Sequence, residues 1–311
     1  MNRYVISSSL GGLSNRIKCL VSSIRLAEKT KRELILYWPK SSSCNCHFSD
    51  LFENDIKEIS RENIKNIIKN KKCEVYTENL YNFKGKKEFI INFSTKIIGF
   101  SKKNIHLKFE NIPKEIRTDI SSYIGRLKIK KEILKIAGNF SNKKFTKEII
   151  GIHIRRGDFR TLKSKVGFVS SDEKFIEEIE KEIKLNSKVK FFLATDEKET
   201  EEKFKKIFGN RIIFYEKNTK KREEDGSVKE ALIELLLLSK CKLILGSFGS
   251  TFTEMAWFFG NCRPKVKIVM DKKALREYIS LTKERKNIFN SIKQVVYKII
   301  TPLHVRLIDR V

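Results

Sequence analysis

The stretch "EIIGIHIRRGDF", residues 148–159, decides how this chain is read. A run of β-formers ends on two arginines, a glycine and an aspartate. A strand that stops on fixed positive charge is either solvated at its tip or faces an anion. The residues that follow set the fold class. "SSDEKFIEEIEKEIK" (170–184) has a helical period, with Ser170 and Glu173 at capping-box spacing. "VKFFLAT" (189–195) reads as a strand and "DEKETEEKFKKIF" (196–208) as a helix. "RIIFY" (211–215), "VKEALIELLLLSK" (228–240), "KLILGS" (242–247), "STFTEMAWFF" (250–259) and "KVKIVM" (265–270) continue the alternation. Strands alternating with helices imply an α/β protein whose parallel sheet is covered on both faces.

Working back toward the N-terminus, a second and less regular series appears. Residues 3–7 form a strand, and a helix near 14–29 carries Ile17, Leu20, Val21, Ile24 and Leu26 on one side. "ELILYW" (33–38) is a strand, a helix lies near 62–69, and further strands lie at 73–77 and 88–92. The two series predict two Rossmann-like domains, 1–146 and 147–283. Residues 284–311 place Ile288, Ile292, Val295, Val296, Ile299 and Leu303 at helical spacing among lysines. This reads as a basic amphipathic helix packing back on the domains. Its alternative is a peripheral contact with an anionic membrane face.

Composition narrows the class further. The chain has 311 residues, 40% hydrophobic, which suffices for two domains. Its formal charge of +28 attracts polyanions, but lysine alternates with glutamate, as in "TKKREEDGSVKE", the pattern of a solvated surface. The phenylalanines sit in apolar runs such as "KFFLA" and "AWFFG", and no nucleic-acid-binding motif occurs, so no nucleic-acid partner is expected. No secretory leader and no membrane-length apolar run stands out, which predicts a cytoplasmic protein. Six cysteines lack framework spacing, which suits a reducing compartment. "CNCHF" (44–48) offers zinc ligands but no second ligand pair at zinc spacing, and reads as a loop.

In open α/β sheets, ligands bind beyond the carboxyl ends of the strands. That rule selects "SSSLGGLSNR", "RRGDFR", "ATDEKE" and "GSFGST". An arginine fork gives bidentate hydrogen bonds to phosphate and keeps its charge. If the strand continues, Arg155 and Arg156 point to opposite sides, one toward a ligand and one toward a carboxylate such as Asp158. Gly157 permits a tight turn. Ser247, Gly249, Ser250 and Thr251 lead into a helix whose free amides welcome an anion, or are simply an N-cap with Thr253 or Glu254 reaching back. Gly11, Gly12, Asn15 and Arg16 open the first helix without matching a dinucleotide or P-loop pattern. No paired aspartates stand at DxD spacing to hold a metal-bound diphosphate, so no metal is expected.

Taken together, "GGLSNRIKCLVSSIRLAEKTKRELILYW", "IGIHIRRGD", "FFLATD" and "ALIELLLLSKCKLILGSFGSTFTEMA" resemble the fucosyltransferase superfamily in type and order. The resemblance runs from residue 3 to about 260 and fades between 50 and 145. It implies a GT-B architecture, two Rossmann-like domains facing a central cleft. It implies GDP-fucose as donor, a glycan hydroxyl as acceptor, inversion at the anomeric carbon and no cofactor. By that resemblance Arg155 stabilises the departing GDP, and Asp158 is the candidate base. His153, Arg156, Glu234, Ser247, Gly249, Ser250, Thr251, Gly11, Gly12, Asn15 and Arg16 lie about the donor. The family often carries aspartate where this chain has Glu234. Another nucleotide-sugar donor fits the same residues.

Overall fold

The computed structural model describes residues 3–70, 72–76, 88–92, 109–157, 166–219 and 224–281. The helix expected over 284–311 lies outside them, as does Asp158. Two parallel sheets form the frame. The first holds β1 (Tyr4–Ser7), β2 (Glu33–Leu36), β3 (Cys73–Tyr76) and β4 (Phe89–Asn92) in the order β2-β1-β4-β3. The second holds β5 (Ile150–Ile154), β6 (Phe191–Thr195), β7 (Ile212–Phe214), β8 (Leu243–Ser247) and β9 (Lys265–Val269) in the order β7-β6-β5-β8-β9. In the second sheet the chain reverses its direction of travel between β5 and β8. Crevices for ligands open at such reversals, outside the strand carboxyl ends.

The second sheet has helices over both faces, so β5, β6 and β8 are buried, mostly apolar runs, while the edge strand β9 exposes Lys265 and Lys267. On one face, helices α5 (Asp172–Leu185) and α6 (Lys198–Phe208) press Phe175, Ile179 and Phe204 onto Ile152, Ile154 and Leu193. On the other lie α7 (Ser227–Leu238) and α8 (Thr251–Phe259), with Phe192, Ile244, Trp257 and Phe258 buried between. The phenylalanines of "KFFLA" are therefore core, as is Phe258. The cap of α5 is Ser171, whose hydroxyl accepts from Lys174 N–H at 3.4 Å. This corrects the expected Ser170. Ser170 is drawn inward, where its Oγ donates to Val269 O at 2.6 Å and accepts from Phe248 N–H at 2.8 Å.

In the first half, α1 (Leu13–Lys29) follows β1, and α2 (Arg61–Lys69) precedes β3, capped by Ser60. Two helices not anticipated from the sequence, α3 (Lys114–Gly125) and α4 (Lys131–Lys144), fill the space between the sheets. Ile116, Ile120, Tyr123 and Ile124 form the buried stripe of α3, and Ile133 and Ala137 that of α4. Together with α1, α7 and α8 they make one apolar core that runs across both halves.

Helix α1 is enclosed on nearly every side, so its basic residues Arg16, Lys18 and Arg25 are buried and each needs a partner. Arg25 reaches Asp119 of α3 at 2.7 Å. Lys18, in the second turn of α1, meets Glu254 in the first turn of α8 at 2.5 Å, with the side chains only 5% and 2% exposed. This pair joins the two halves. Removing one partner strands a buried charge, and replacing both with apolar groups does not. Lys18→Met is expected to lower unfolding free energy by about 3–5 kcal/mol, and Lys18→Met with Glu254→Leu to recover most of that loss. Urea unfolding midpoints check both values.

Candidate active site

The carboxyl end of β5 is held by an unusual density of polar contacts. Arg155 N–H donates to Ser247 Oγ at 3.0 Å, and that hydroxyl donates to His153 O at 3.2 Å, stapling β5 to β8. Ser247, one of the expected donor contacts, is buried and engaged on both sides. Next in the chain, Arg156 turns inward and is only 2% exposed. Its guanidinium donates to Asp172 Oδ1, to Ser170 O at 3.0 Å and to Arg155 O at 3.0 Å. The alternation expected of the two arginines is present, and the carboxylate that Arg156 meets is Asp172; Asp158 lies outside the described residues. Arg156 acts as a brace from inside and does not reach the cleft.

Arg155 takes the opposite side, with its side chain 16% exposed. Its Nη1 pairs with Asp196 Oδ2 at 2.6 Å. Asp196 follows β6 directly, and its other oxygen accepts from Arg156 N–H at 2.8 Å. Gly157 is required here by space, because a Cβ would lie 2.6 Å from Asp196 Oδ2. Residue type did not mark Asp196 beforehand, but the pairing of Ile154 with Thr195 puts it beside Arg155.

Beyond β8 the loop turns on Gly249, at φ 71°, a conformation open to glycine. Ser250 caps α8, its hydroxyl accepting from Phe252 N–H at 3.3 Å, and half-buried Thr251 begins the helix. The other residues expected to reach back do something else. Thr253 faces His153 and Glu254 faces Lys18.

The N-terminal loop divides in the same way. Arg16, expected beside the donor, is 1% exposed. It donates to Gly11 O at 2.8 Å, Pro39 O at 2.5 Å and Ser41 Oγ at 2.9 Å, and stacks 5.3 Å from the Trp38 ring centroid. It clamps the loops after β1 and β2 together. Helix α1 starts at Gly12 with no side-chain cap and no acid in its first turn. Ser8 Oγ, Ser14 Oγ and Asn15 Oδ1 are buried there without a hydrogen-bond partner. An uncapped helix start with orphaned polar atoms is a place where a bound group would be satisfied.

Glu234 lies in the middle of α7, buried, and Lys217 Nζ donates to it at 3.1 Å while also reaching Glu201 and Thr195 O, both at 2.7 Å. Burial pushes the Glu234 carboxyl up to about 7 against the pull of Lys217. Its carboxylate thus closes the end of β6 and is already partnered. Among the described residues, no group of three or more His, Cys, Asp or Glu side chains could hold a metal ion, and Cys44 and Cys46 stand with sulfurs 3.8 Å apart. No helix among them is long and apolar enough to cross a membrane.

His153 is buried with Nδ1 2.8 Å from Thr253 Oγ1, and its ring stacks on Phe252 at 4.8 Å between centroids. Burial first, then the charges of Arg155 and Arg156, push its pKa down to about 3 from an ordinary 6.5. Between those values the unfolded chain takes up a proton that the folded chain refuses. Its contribution is therefore complete above about pH 6.5 and shrinks as pH falls toward 3. His153→Asn keeps a hydrogen-bonding atom near Nδ1 but cannot titrate. Its melting temperature is expected to fall less than the wild type's between pH 7.5 and 5, and parallel falls would contradict the assignment.

Comparison with known proteins gives this geometry a context. The sequence matches glycosyl transferase family 11 over residues 59–273, more than half of the chain. A search of curated proteins gives no match. Among solved structures, the chain is similar to NodZ α-1,6-fucosyltransferase of Bradyrhizobium in a crystal soaked with GDP-fucose. Identity is 17%, 83% of this chain and 92% of that one are covered, and the TM-score is 0.58. It is similar to Arabidopsis thaliana FUT1 in complex with GDP at 15% identity, covering 84% and 69%, with a TM-score of 0.56. Apo POFUT1 follows at 11% identity, covering 86% and 97%, with a TM-score of 0.51. At these identities the likeness is one of fold, and that fold is GT-B. The chain belongs to glycosyltransferase family 11 and is a glycosyltransferase of GT-B architecture.

Proposed function

We propose that the protein transfers fucose from GDP-fucose to a hydroxyl of a glycan, with inversion and without a metal ion. The acceptor oxygen attacks the anomeric carbon, the bond from that carbon to the β-phosphate oxygen breaks, and its electron pair leaves with GDP. The acceptor proton passes to a base or to solvent. Asp158, the candidate base, lies outside the described residues. Two fucosyltransferases of similar fold were crystallised with GDP-fucose or GDP, which supports this donor.

The observation that carries the reading is Arg155, a guanidinium at the β5–β8 reversal that is neither buried nor turned inward as Arg156 is. Charge develops on the leaving diphosphate, and a fixed cation aimed there lowers the barrier. The amides at the start of α8, reached through Gly249, Ser250 and Thr251, add partial positive charge to the same place. The uncapped start of α1, with Gly11, Gly12 and Asn15, faces the cleft from the other half. On this reading residues 147–283 hold the donor and residues 1–146 the acceptor. His153, Glu234 and Ser247 shape the donor side from behind.

A panel of nucleotide-sugars, each with and without EDTA, tests the proposal. GDP-fucose is expected to be consumed with chelator present. Arg155→Ala is expected to lower kcat by about 100- to 1,000-fold, the usual effect of losing one preorganised donor to a developing oxyanion. Turnover abolished by the chelator, or unchanged in Arg155→Ala, contradicts the mechanism.

A further inference from the structure

We propose that Asp196 is a positioning residue for Arg155, fixing the guanidinium in the orientation that meets the donor diphosphate. The inference rests on the reading of Arg155 just given and gives a role to a residue of the "ATDEKE" strand end, to which none was assigned from the sequence.

Arginine is a long side chain with several free rotations, and its fork recognises phosphate only when its plane is set. Asp196 supplies the constraint from the neighbouring strand, through Oδ2 to Arg155 Nη1 at 2.6 Å. A carboxylate beside an anion site is unfavourable unless it does something for the cation there. The second oxygen explains why it is tolerated. Oδ1 accepts from the backbone N–H of Arg156 at 2.8 Å, so the carboxylate is tied to the turn and cannot swing away with the guanidinium. The turn is held in place from below, where buried Arg156 donates to Asp172 and to Arg155 O. Gly157 leaves the space the carboxylate occupies. A guanidinium carries five N–H donors, of which the Asp196 oxygen engages Nη1.

This arrangement differs from a simple ion pair that a ligand would displace. The diphosphate adds to an arginine already aimed, and Asp196 stays in place during the reaction.

The test is a double-mutant cycle of Asp196→Asn and Arg155→Ala, read by GDP-fucose turnover, by calorimetric GDP affinity and by melting temperature. Asparagine keeps the shape, and its carbonyl can still accept from Arg156 N–H. Its amide cannot accept from Arg155. Asp196→Asn alone is expected to lower kcat/KM by about 10- to 100-fold, the scale of a small misplacement of a catalytic group, with the melting temperature little changed. It is expected to weaken GDP binding as well. With Arg155 already alanine, the same substitution should cost less than about twofold in either readout, because the residue to be positioned is gone. Equal losses in both backgrounds, or a loss that tracks the melting temperature, overturn the role and leave Asp196 a structural brace. Wild-type activity in Asp196→Asn overturns it too. A wild-type protein that neither binds GDP nor consumes GDP-fucose overturns the functional reading itself, a different outcome from either of these.

Discussion

The arrangement depends on a lysine and a glutamate removed from water between two helices. Lys18 and Glu254 meet at 2.5 Å, on α1 after the first strand of one sheet and on α8 after the fourth strand of the other. Both charges lose their hydration, so the pair is tolerable only while each has the other. It therefore specifies one relative placement of the halves, which apolar contacts alone specify weakly. That placement puts the starts of two helices within two turns of one ion pair. Each start carries free amides and a positive dipole end.

From this joint outward, the chain uses arginine in two ways. Arg16 and Arg156 are interior fasteners, each donating to backbone carbonyls at the ends of strands and turns. They give the cleft walls their rigidity. Arg155 is held differently, through an anchored carboxylate on the neighbouring strand, and keeps part of its surface toward solvent. A site that must stabilise charge in a transition state gains from donors that need not reorganise, and rigid walls are how a protein provides them. His153 shows the same economy of charge. With two arginines following it in sequence it stays neutral and serves through its hydrogen bond to Thr253.

Much of the second half was legible because both faces of its sheet are covered, so β5, β6 and β8 are mostly apolar runs, α5 and α6 are amphipathic, and α7 and α8 are buried nearly all round. The first half was less clear, and α3 and α4 went unassigned although Ile116, Ile120, Tyr123 and Ile124 stand at helical spacing after Pro113. The strand-end rule pointed to the loops after β1, β5, β6 and β8. It could not tell which charged residue there turns inward, because that depends on partners far away in the chain. Lys18 and Glu254 are 236 residues apart, and Arg25 and Asp119 are 94 apart. Arg16 was expected near the donor from the resemblance of its loop, and its burial could not be read from that loop alone. In this chain Pro39 and Ser41 fold over it. Ser170 looked like a cap and Ser171 is one, a single-residue difference decided by Val269 and Phe248. Asp196 was visible only as the residue after a strand, and its role follows from the register of β5 with β6.

The central claim is that a diphosphate sits where Arg155 and the start of α8 converge. A crystal structure of the protein with GDP tests it most directly. The account predicts phosphate oxygens within hydrogen-bond distance of the Arg155 guanidinium and of the amides of residues 249–251. It further predicts Asp196 still bonded to both Arg155 and the Arg156 amide, and the Lys18–Glu254 pair intact. A diphosphate seated instead in the polar cavity of about 290 Å³ lined by Lys40, Lys130 and Lys229, or one held through a cation on carboxylates, would contradict it.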